Sequence, residues 1–125
     1  MPQSALILGC SGLSLTPDEK AFYRDVDPWG FILFRRNVDA PAQVKALTSE
    51  LREAVGRDVP VLVDQEGGRV QRLTAPNWPK YPAARRYGQI HANDPTTRRE
   101  ITRLAARLIA YDLLEVGINV DCLPV

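Results

Sequence analysis

Little in this sequence is available for redox or metal chemistry. Its 125 residues include two cysteines, Cys10 and Cys122, and one histidine, His91. Each cysteine sits inside an apolar, strand-like segment, the pattern of a reduced buried thiol rather than of a disulfide or a metal pair. His91 lies in "YGQIHANDP", a polar approach to a helix cap, and reads as a surface-loop histidine. Charge of one sign is also lacking: sixteen basic against fifteen acidic side chains leave a net charge of +1. That balance gives no field for nucleic acid or an anionic membrane surface. Long hydrophobic runs are missing. The stretch "ALILG" near the start is too short for a signal-peptide core and has no basic flank. Nothing approaches the roughly 20 apolar residues of a membrane span. There are no internal repeats and no low-complexity tract. What is present, 45% hydrophobic and 25% charged residues, is the composition of a soluble globular protein of one ordinary domain.

The apolar residues alternate between two periods. "ALILGC" (Ala5 to Cys10) reads as a buried strand that ends in the turn Ser11-Gly12. Thr16-Pro17-Asp18-Glu19 predicts a capping box and a short helix to about Arg24, with Pro17 at its first position. "GFILF" (Gly30 to Phe34) is a second strand. A helix from near Asp39 and Pro41 carries Val44, Leu47, Leu51 and Val55 on one stripe and stops at Gly56. Val59 to Val63 is a third strand. Three prolines and a tryptophan in "TAPNWPKYP" forbid regular structure between Thr74 and Pro82. The longest helix opens at the cap Asp94 with Pro95, presents Ile101, Leu104, Ala105, Leu108 and Ile109, and ends before Gly117. "INVDCLPV" (Ile118 to Val125) is a fourth strand.

Apolar strands joined by amphipathic helices predict an α/β fold with a parallel sheet. Polar residues follow several strands: Arg35, Arg36 and Asn37 after the second, Asp64 after the third, Asp121 within the fourth. Barrel enzymes place working residues at many strand ends around one mouth, whereas open sheets concentrate them at one switch point. The pattern therefore leans to a stretch of a (β/α)8 TIM barrel. Four strands are half of one, so residues 1–125 read as the N-terminal half of a single barrel domain.

Chemistry concentrates in "VPVLVDQEGGRVQRL" (Val59 to Leu73). Asp64 and Glu66, two residues apart, would lie roughly 6.6 Å apart along an extended strand, within reach of a paired-carboxylate mechanism. Gly67-Gly68 turns the chain at once, however, and weakens that geometry. The glycines lack the spacing of a dinucleotide or P-loop fingerprint. No histidine or third carboxylate stands nearby in sequence to complete a metal site. Residue types suit binding better: a carboxylate accepts from hydroxyls and a guanidinium donates in a fork. Asp64 and Arg72 could clamp a polar ligand, with the glycines letting backbone approach it. The plain alternative is an internal brace built from Asp64, Arg69 and Arg72.

"VLVDQEGGRVQRL" resembles the signature of the glycoside hydrolase family 3 β-N-acetylglucosaminidases of the NagZ type. "GFILFRRN", "PAQVKAL" and "GINVDCLPV" extend the likeness in the same order over nearly the whole chain. The resemblance implies a TIM-barrel hydrolase that removes terminal, non-reducing β-linked N-acetylglucosamine. Its substrate would be cytoplasmic muropeptide carrying 1,6-anhydro-N-acetylmuramic acid, in bacterial cell-wall recycling, and no metal or organic cofactor is implied. Asp64 matches the aspartate that hydrogen-bonds sugar hydroxyls, and Arg72 the substrate-binding arginine. The family's catalytic aspartate and histidine match no residue here, which implies a chain inactive alone. A second possibility is a non-enzymatic half-barrel that binds sugar or pairs with another copy. Glu66 then reads as a brace, Trp78 and Tyr81 as loop packing rather than a sugar-stacking surface. Asp112 stays open between pairing with an arginine and drifting off the helix stripe.

Overall fold

A computed structural model describes residues 2–90 and 93–123. His91 lies outside the described residues, as do Pro124 and Val125 at the end of the last apolar segment. Four strands, β1 (Ser4–Leu8), β2 (Pro28–Leu33), β3 (Val61–Val63) and β6 (Val120–Asp121), form a parallel sheet in the order β1-β2-β3-β6. Between β3 and β6 comes a small antiparallel hairpin, β4 (Gln65–Gly67) and β5 (Val70–Gln71). The helices are α1 (Pro17–Val26), α2 (Pro41–Val55), α3 (Ala84–Gln89) and α4 (Pro95–Glu115), with a 3-10 turn over Arg35–Asn37. Each strand of the large sheet is added beside the one before it. No reversal of order creates a switch point, and this is the arrangement of successive barrel units rather than of a doubly wound sheet.

Local chemistry starts and stops the helices as the sequence indicates. Thr16 caps α1: the Glu19 amide donates to Thr16 Oγ1 at 3.1 Å while the Thr16 amide donates to the Glu19 carboxylate at 2.9 Å. The Ser11 amide adds a second bond to that carboxylate at 2.8 Å. Burial pushes the Glu19 carboxyl up, but these amide donors outweigh it and hold it below its ordinary value. Gly56, in the left-handed region at φ 71°, closes α2, and its amide donates to the Arg52 carbonyl at 2.8 Å.

Alternate strand residues, Phe31 and Leu33 on β2 with Val61 and Val63 on β3, share one core with Val44, Leu47 and Leu51 of α2 and with Ile109 and Leu113 of α4. The expected stripe of α4 needs correction. Of Ile101, Leu104, Ala105, Leu108 and Ile109, only Ile109 is buried, and Leu104 and Leu108 are exposed. The helix packs through Ile109, Leu113 and the following Val116, while Leu104, Leu108, Tyr111 and Leu114 form a second apolar row that faces outward. A helix apolar on two faces carries no single period, so the sequence pattern could not tell which face the sheet takes. Both cysteines are free, Cys10 buried and Cys122 only partly so. Burial, with the nearby Glu19 charge, pushes the Cys10 thiol up to about 11.

Gly117 ends α4 at φ 82°, and a Cβ there would stand 2.3 Å from Thr48 Oγ1, the hydroxyl that donates to the Val116 carbonyl at 2.8 Å. Gly117→Ala should therefore cost at least about 2 kcal/mol, the left-handed penalty plus the displaced hydrogen bond. Urea unfolding of the two proteins measures it.

Candidate functional site

The segment after β3 is folded back on itself by its two glycines. Gly67 and Gly68 have φ values of 81° and 62°, a backbone that favours glycine. A Cβ on Gly67 would stand 2.3 Å from the Pro82 carbonyl, and one on Gly68 2.8 Å from Ala83 Cβ. The turn therefore lies flat on the 81–83 backbone, and the Gly68 amide donates to the Tyr81 carbonyl at 2.8 Å. The proline-rich stretch, irregular as expected, is the platform for this turn.

Two glutamines build the hairpin's interior. Gln65 is fully buried: its Nε2 donates to the Leu73 carbonyl at 2.7 Å, and its Oε1 accepts from the Leu73 amide at 3.0 Å. Gln71 donates to the carbonyls of Leu73 and Pro79 and accepts from the Tyr81 amide at 2.9 Å. Sequence reasoning passed over both. A two-residue turn at Gly67-Gly68 would set Gln65 opposite Val70; the observed partner is Gln71, because the register shifts between Gln65 and Gly67, so the turn alone could not have paired them.

Asp64 and Arg72 come together across this frame. Arg72 Nη2 donates to Asp64 Oδ2 at 3.1 Å, with side chains 29% and 24% exposed. The contact joins one nitrogen to one oxygen, not a two-pronged clamp, so fork capacity remains. The ion pair is the contact that the brace reading expected, and it is partly open to solvent. Arg69 takes no part in that contact. Glu66 faces a cleft of about 240 Å³ that Gly67, Val70, Arg69, Arg85 and Leu123 also line. Asp121, at the end of β6, accepts from the Gln65 amide through Oδ1 at 2.9 Å, while its Oδ2 is buried without a hydrogen-bond partner. Burial raises the Asp121 carboxyl above its ordinary value, and the charges of Glu66 and Asp64 add to the rise. The Cys122 thiol is raised by burial and by the Asp64 carboxylate beside it.

Other polar residues at strand ends serve the frame. Asn37 is fully buried and donates to the carbonyls of Cys10 and Gly12 while accepting from the Phe34 amide. Arg36 donates to the Cys10 carbonyl and stacks 4.9 Å from the centre of the Phe34 ring. Arg35 donates to the Val38 carbonyl. Trp78 is buried in the core, as loop packing requires. Asp112 has an identified partner, the Tyr81 hydroxyl, and not an arginine. Among the described residues no cluster of three or more His, Cys, Asp or Glu side chains could hold a metal ion. No helix among them is long and apolar enough to cross a membrane.

No family model matches the chain. The β-hexosaminidase of Bordetella avium is 32% identical over 125 residues, all of this chain and 36% of that protein. That of Xylella fastidiosa strain 9a5c is 34% identical over 120 residues, 96% of this chain and 36% of its own length. The chain thus spans about a third of the length of the curated relatives it matches. The crystal structure of NagZ from Neisseria gonorrhoeae, in complex with N-trifluoroacetyl-D-glucosamine, superposes with a TM-score of 0.91 at 31% identity, over 99% of this chain and 36% of that one. A glycoside hydrolase family 3 β-N-acetylglucosaminidase from Paenibacillus gives a TM-score of 0.81 at 32% identity, over 94% and 22%.

The raised Asp121 carboxyl has a thermodynamic sign. Its folded value lies above the unfolded 3.8, so its contribution favours the fold at pH below 3.8 and is lost as pH rises through the folded value. Asp121→Asn keeps an oxygen for the Gln65 amide and removes the charge. The variant should melt above the wild type at neutral pH, and the gap should close in acid. Thermal melts across that range test this; a gap that does not change with pH would refute it.

Proposed function

We propose the following function for a chain that corresponds to the N-terminal part of the glycoside hydrolase family 3 β-hexosaminidases. Residues 1–125 form the first strands and helices of a (β/α)8 catalytic barrel, and the whole protein is a β-N-acetylglucosaminidase. It hydrolyses terminal, non-reducing β-linked N-acetylglucosamine from peptidoglycan-derived muropeptides in the cytoplasm, with retention of configuration and without a metal or organic cofactor. This chain supplies part of the sugar site. Asp64 accepts hydrogen bonds from sugar hydroxyls, and Arg72 donates to a sugar oxygen while holding the Asp64 carboxylate in place. The nucleophile and the acid/base group are assigned to no residue of this chain.

One observation carries the reading. At the carboxyl end of β3, where barrel enzymes keep their working groups, Asp64 and Arg72 form a partly exposed ion pair with spare hydrogen-bonding capacity. Such a pair can both accept and donate, as a ring of hydroxyls requires. It is set in a chain that superposes on a protein crystallised with a glucosamine derivative. Glu66 is no substitute nucleophile in this reading, because the Gly67 turn takes the chain away from Asp64 immediately after it.

The expected outcome for this chain is weak binding of N-acetylglucosamine without turnover of an aryl β-N-acetylglucosaminide. Asp64→Ala should weaken binding by roughly 10- to 100-fold, the loss of a charged hydrogen-bond acceptor worth about 1.5–3 kcal/mol. Arg72→Lys, which keeps charge and loses the fork, should also weaken it. An NMR titration with the sugar reads both. Turnover by this chain would move the catalytic carboxylate into residues 1–125 and overturn the assignment.

A second reading, a half-barrel that pairs with another copy, is favoured by the outward row Leu104, Leu108, Tyr111 and Leu114 beside the open edge strand β6. Sedimentation decides it. A discrete dimer that Leu108→Lys dissociates supports pairing, and a monomer excludes it.

A further inference from the structure

We infer that the Tyr81–Asp112 hydrogen bond is a positioning device for the sugar-binding pair, linking the Arg72-bearing hairpin to helix α4. The inference rests on the sugar-site reading above and adds two residues that do not touch the ligand in it.

Three groups of Tyr81 are committed at once. Its hydroxyl donates to Asp112 Oδ2, its amide donates to Gln71 Oε1 at 2.9 Å, and its carbonyl accepts from the Gly68 amide at 2.8 Å. Burial, reinforced by the bond to Asp112, keeps the phenol protonated far into alkaline pH, so the donor is always present. Gln71 carries the constraint onward to the Leu73 and Pro79 carbonyls, and Leu73 is gripped from its other side by Gln65. Arg72 sits between Gln71 and Leu73, and both neighbours are fixed by side-chain amides. Its own side chain makes one identified contact, with Asp64 at 3.1 Å. The backbone that carries the guanidinium is therefore fixed on either side, and the contact with Asp64 holds its far end.

At its other end the chain of bonds is anchored in the long helix. Asp112 lies one residue before the buried Leu113 on α4, so the acceptor is carried by a packed part of that helix. The platform under the hairpin is otherwise irregular backbone from Thr74 to Ala83. Releasing the Tyr81 hydroxyl would free the platform to shift against α4, and Gly68 and Gln71 would shift with it. A small displacement suffices, since hydrogen bonds of the Asp64–Arg72 kind fall off steeply with distance and angle.

The test compares Tyr81→Phe, Asp112→Leu and Asp112→Asn in this chain. Phenylalanine keeps the ring and loses the donor; asparagine keeps an acceptor oxygen and loses the charge; leucine loses both. Two readouts are taken: affinity for N-acetylglucosamine by NMR titration, and amide hydrogen exchange of Gly68 against Val63 in the core. Tyr81→Phe and Asp112→Leu should each weaken the sugar on the order of tenfold, within the worth of one charge-assisted hydrogen bond. They should speed exchange at Gly68 and leave Val63 unchanged, and Asp112→Asn should restore most of both. Unchanged affinity in Tyr81→Phe, or equal acceleration at Gly68 and Val63, makes the bond merely structural and overturns the inference. A wild type with no affinity for the sugar, by contrast, overturns the sugar-site reading itself. Gly68 exchange then decides alone whether the bond holds the hairpin.

Discussion

The side-chain amide of Gln65 is the constraint on which the rest of this region depends. It is fully buried, and both of its ends close on the backbone of Leu73, donor to carbonyl and acceptor to amide. A buried amide left without either partner costs about 1–3 kcal/mol per group, so the pairing tolerates no slip in register. Asp64 immediately precedes Gln65, and Arg72 immediately precedes Leu73. Holding residue 65 against residue 73 keeps the two charged residues on neighbouring backbone, within reach of an ion pair eight residues apart in sequence and 3.1 Å apart in space. The same residue joins the hairpin to the sheet, because its main-chain amide donates to Asp121 at the end of β6. Sheet, hairpin and ion pair thus share one buried hinge point.

The sheet supplies the rigid side of that arrangement. Successive parallel strands, each next to its predecessor, put the ends of β3 and β6 side by side, and the Cys122 amide donates to the Val63 carbonyl at 2.9 Å just beyond the strands. Functional side chains placed there inherit the precision of packed strands rather than the freedom of a loop. Equivalent positions after β2 have gone another way. Arg36 and Asn37 donate to backbone carbonyls of the β1 loop and so knit it to the β2 loop, while Arg35 donates to the nearby Val38 carbonyl. Polar residues at strand ends mark the mouth of such a fold without saying which of them work in it.

Most of the fold was legible because its signals are local. The Thr16–Glu19 box, the αL stop at Gly56 and the Asp94 cap each involve groups within four residues of one another. The strands were legible as continuous apolar runs, but burial on both sides holds only for β3; the run at Ala5 to Cys10, read as a buried strand, leaves Leu6 and Ile7 exposed at the sheet edge. The site was read in part. Asp64 and Arg72 emerged from residue chemistry and resemblance, but the frame that joins them did not. Gln65 and Gln71 look like ordinary polar residues until the shifted register of the hairpin pairs them. The Tyr81–Asp112 contact spans 31 residues and leaves no periodic trace. The α4 stripe misled for the opposite reason: it offered two apolar faces, and only tertiary packing chose between them.

The charges around the hairpin also limit what can bind there. Asp64, Glu66 and Asp121 gather at adjacent strand ends, and within that group Arg72 is bonded to Asp64 alone. Ionised carboxylates only accept hydrogen bonds, so a ligand has to bring donors. An anionic ligand would meet three acids across a poorly screened gap, which the raised Asp121 carboxyl already registers. A neutral molecule with many hydroxyls meets no such repulsion. It donates to Asp64 and accepts from Arg72 through the same kind of group, and neither protein charge has to give up its partner. The electrostatics and the geometry of the ion pair thus suit a neutral, hydroxyl-rich ring better than an anion, which supports the proposed sugar site.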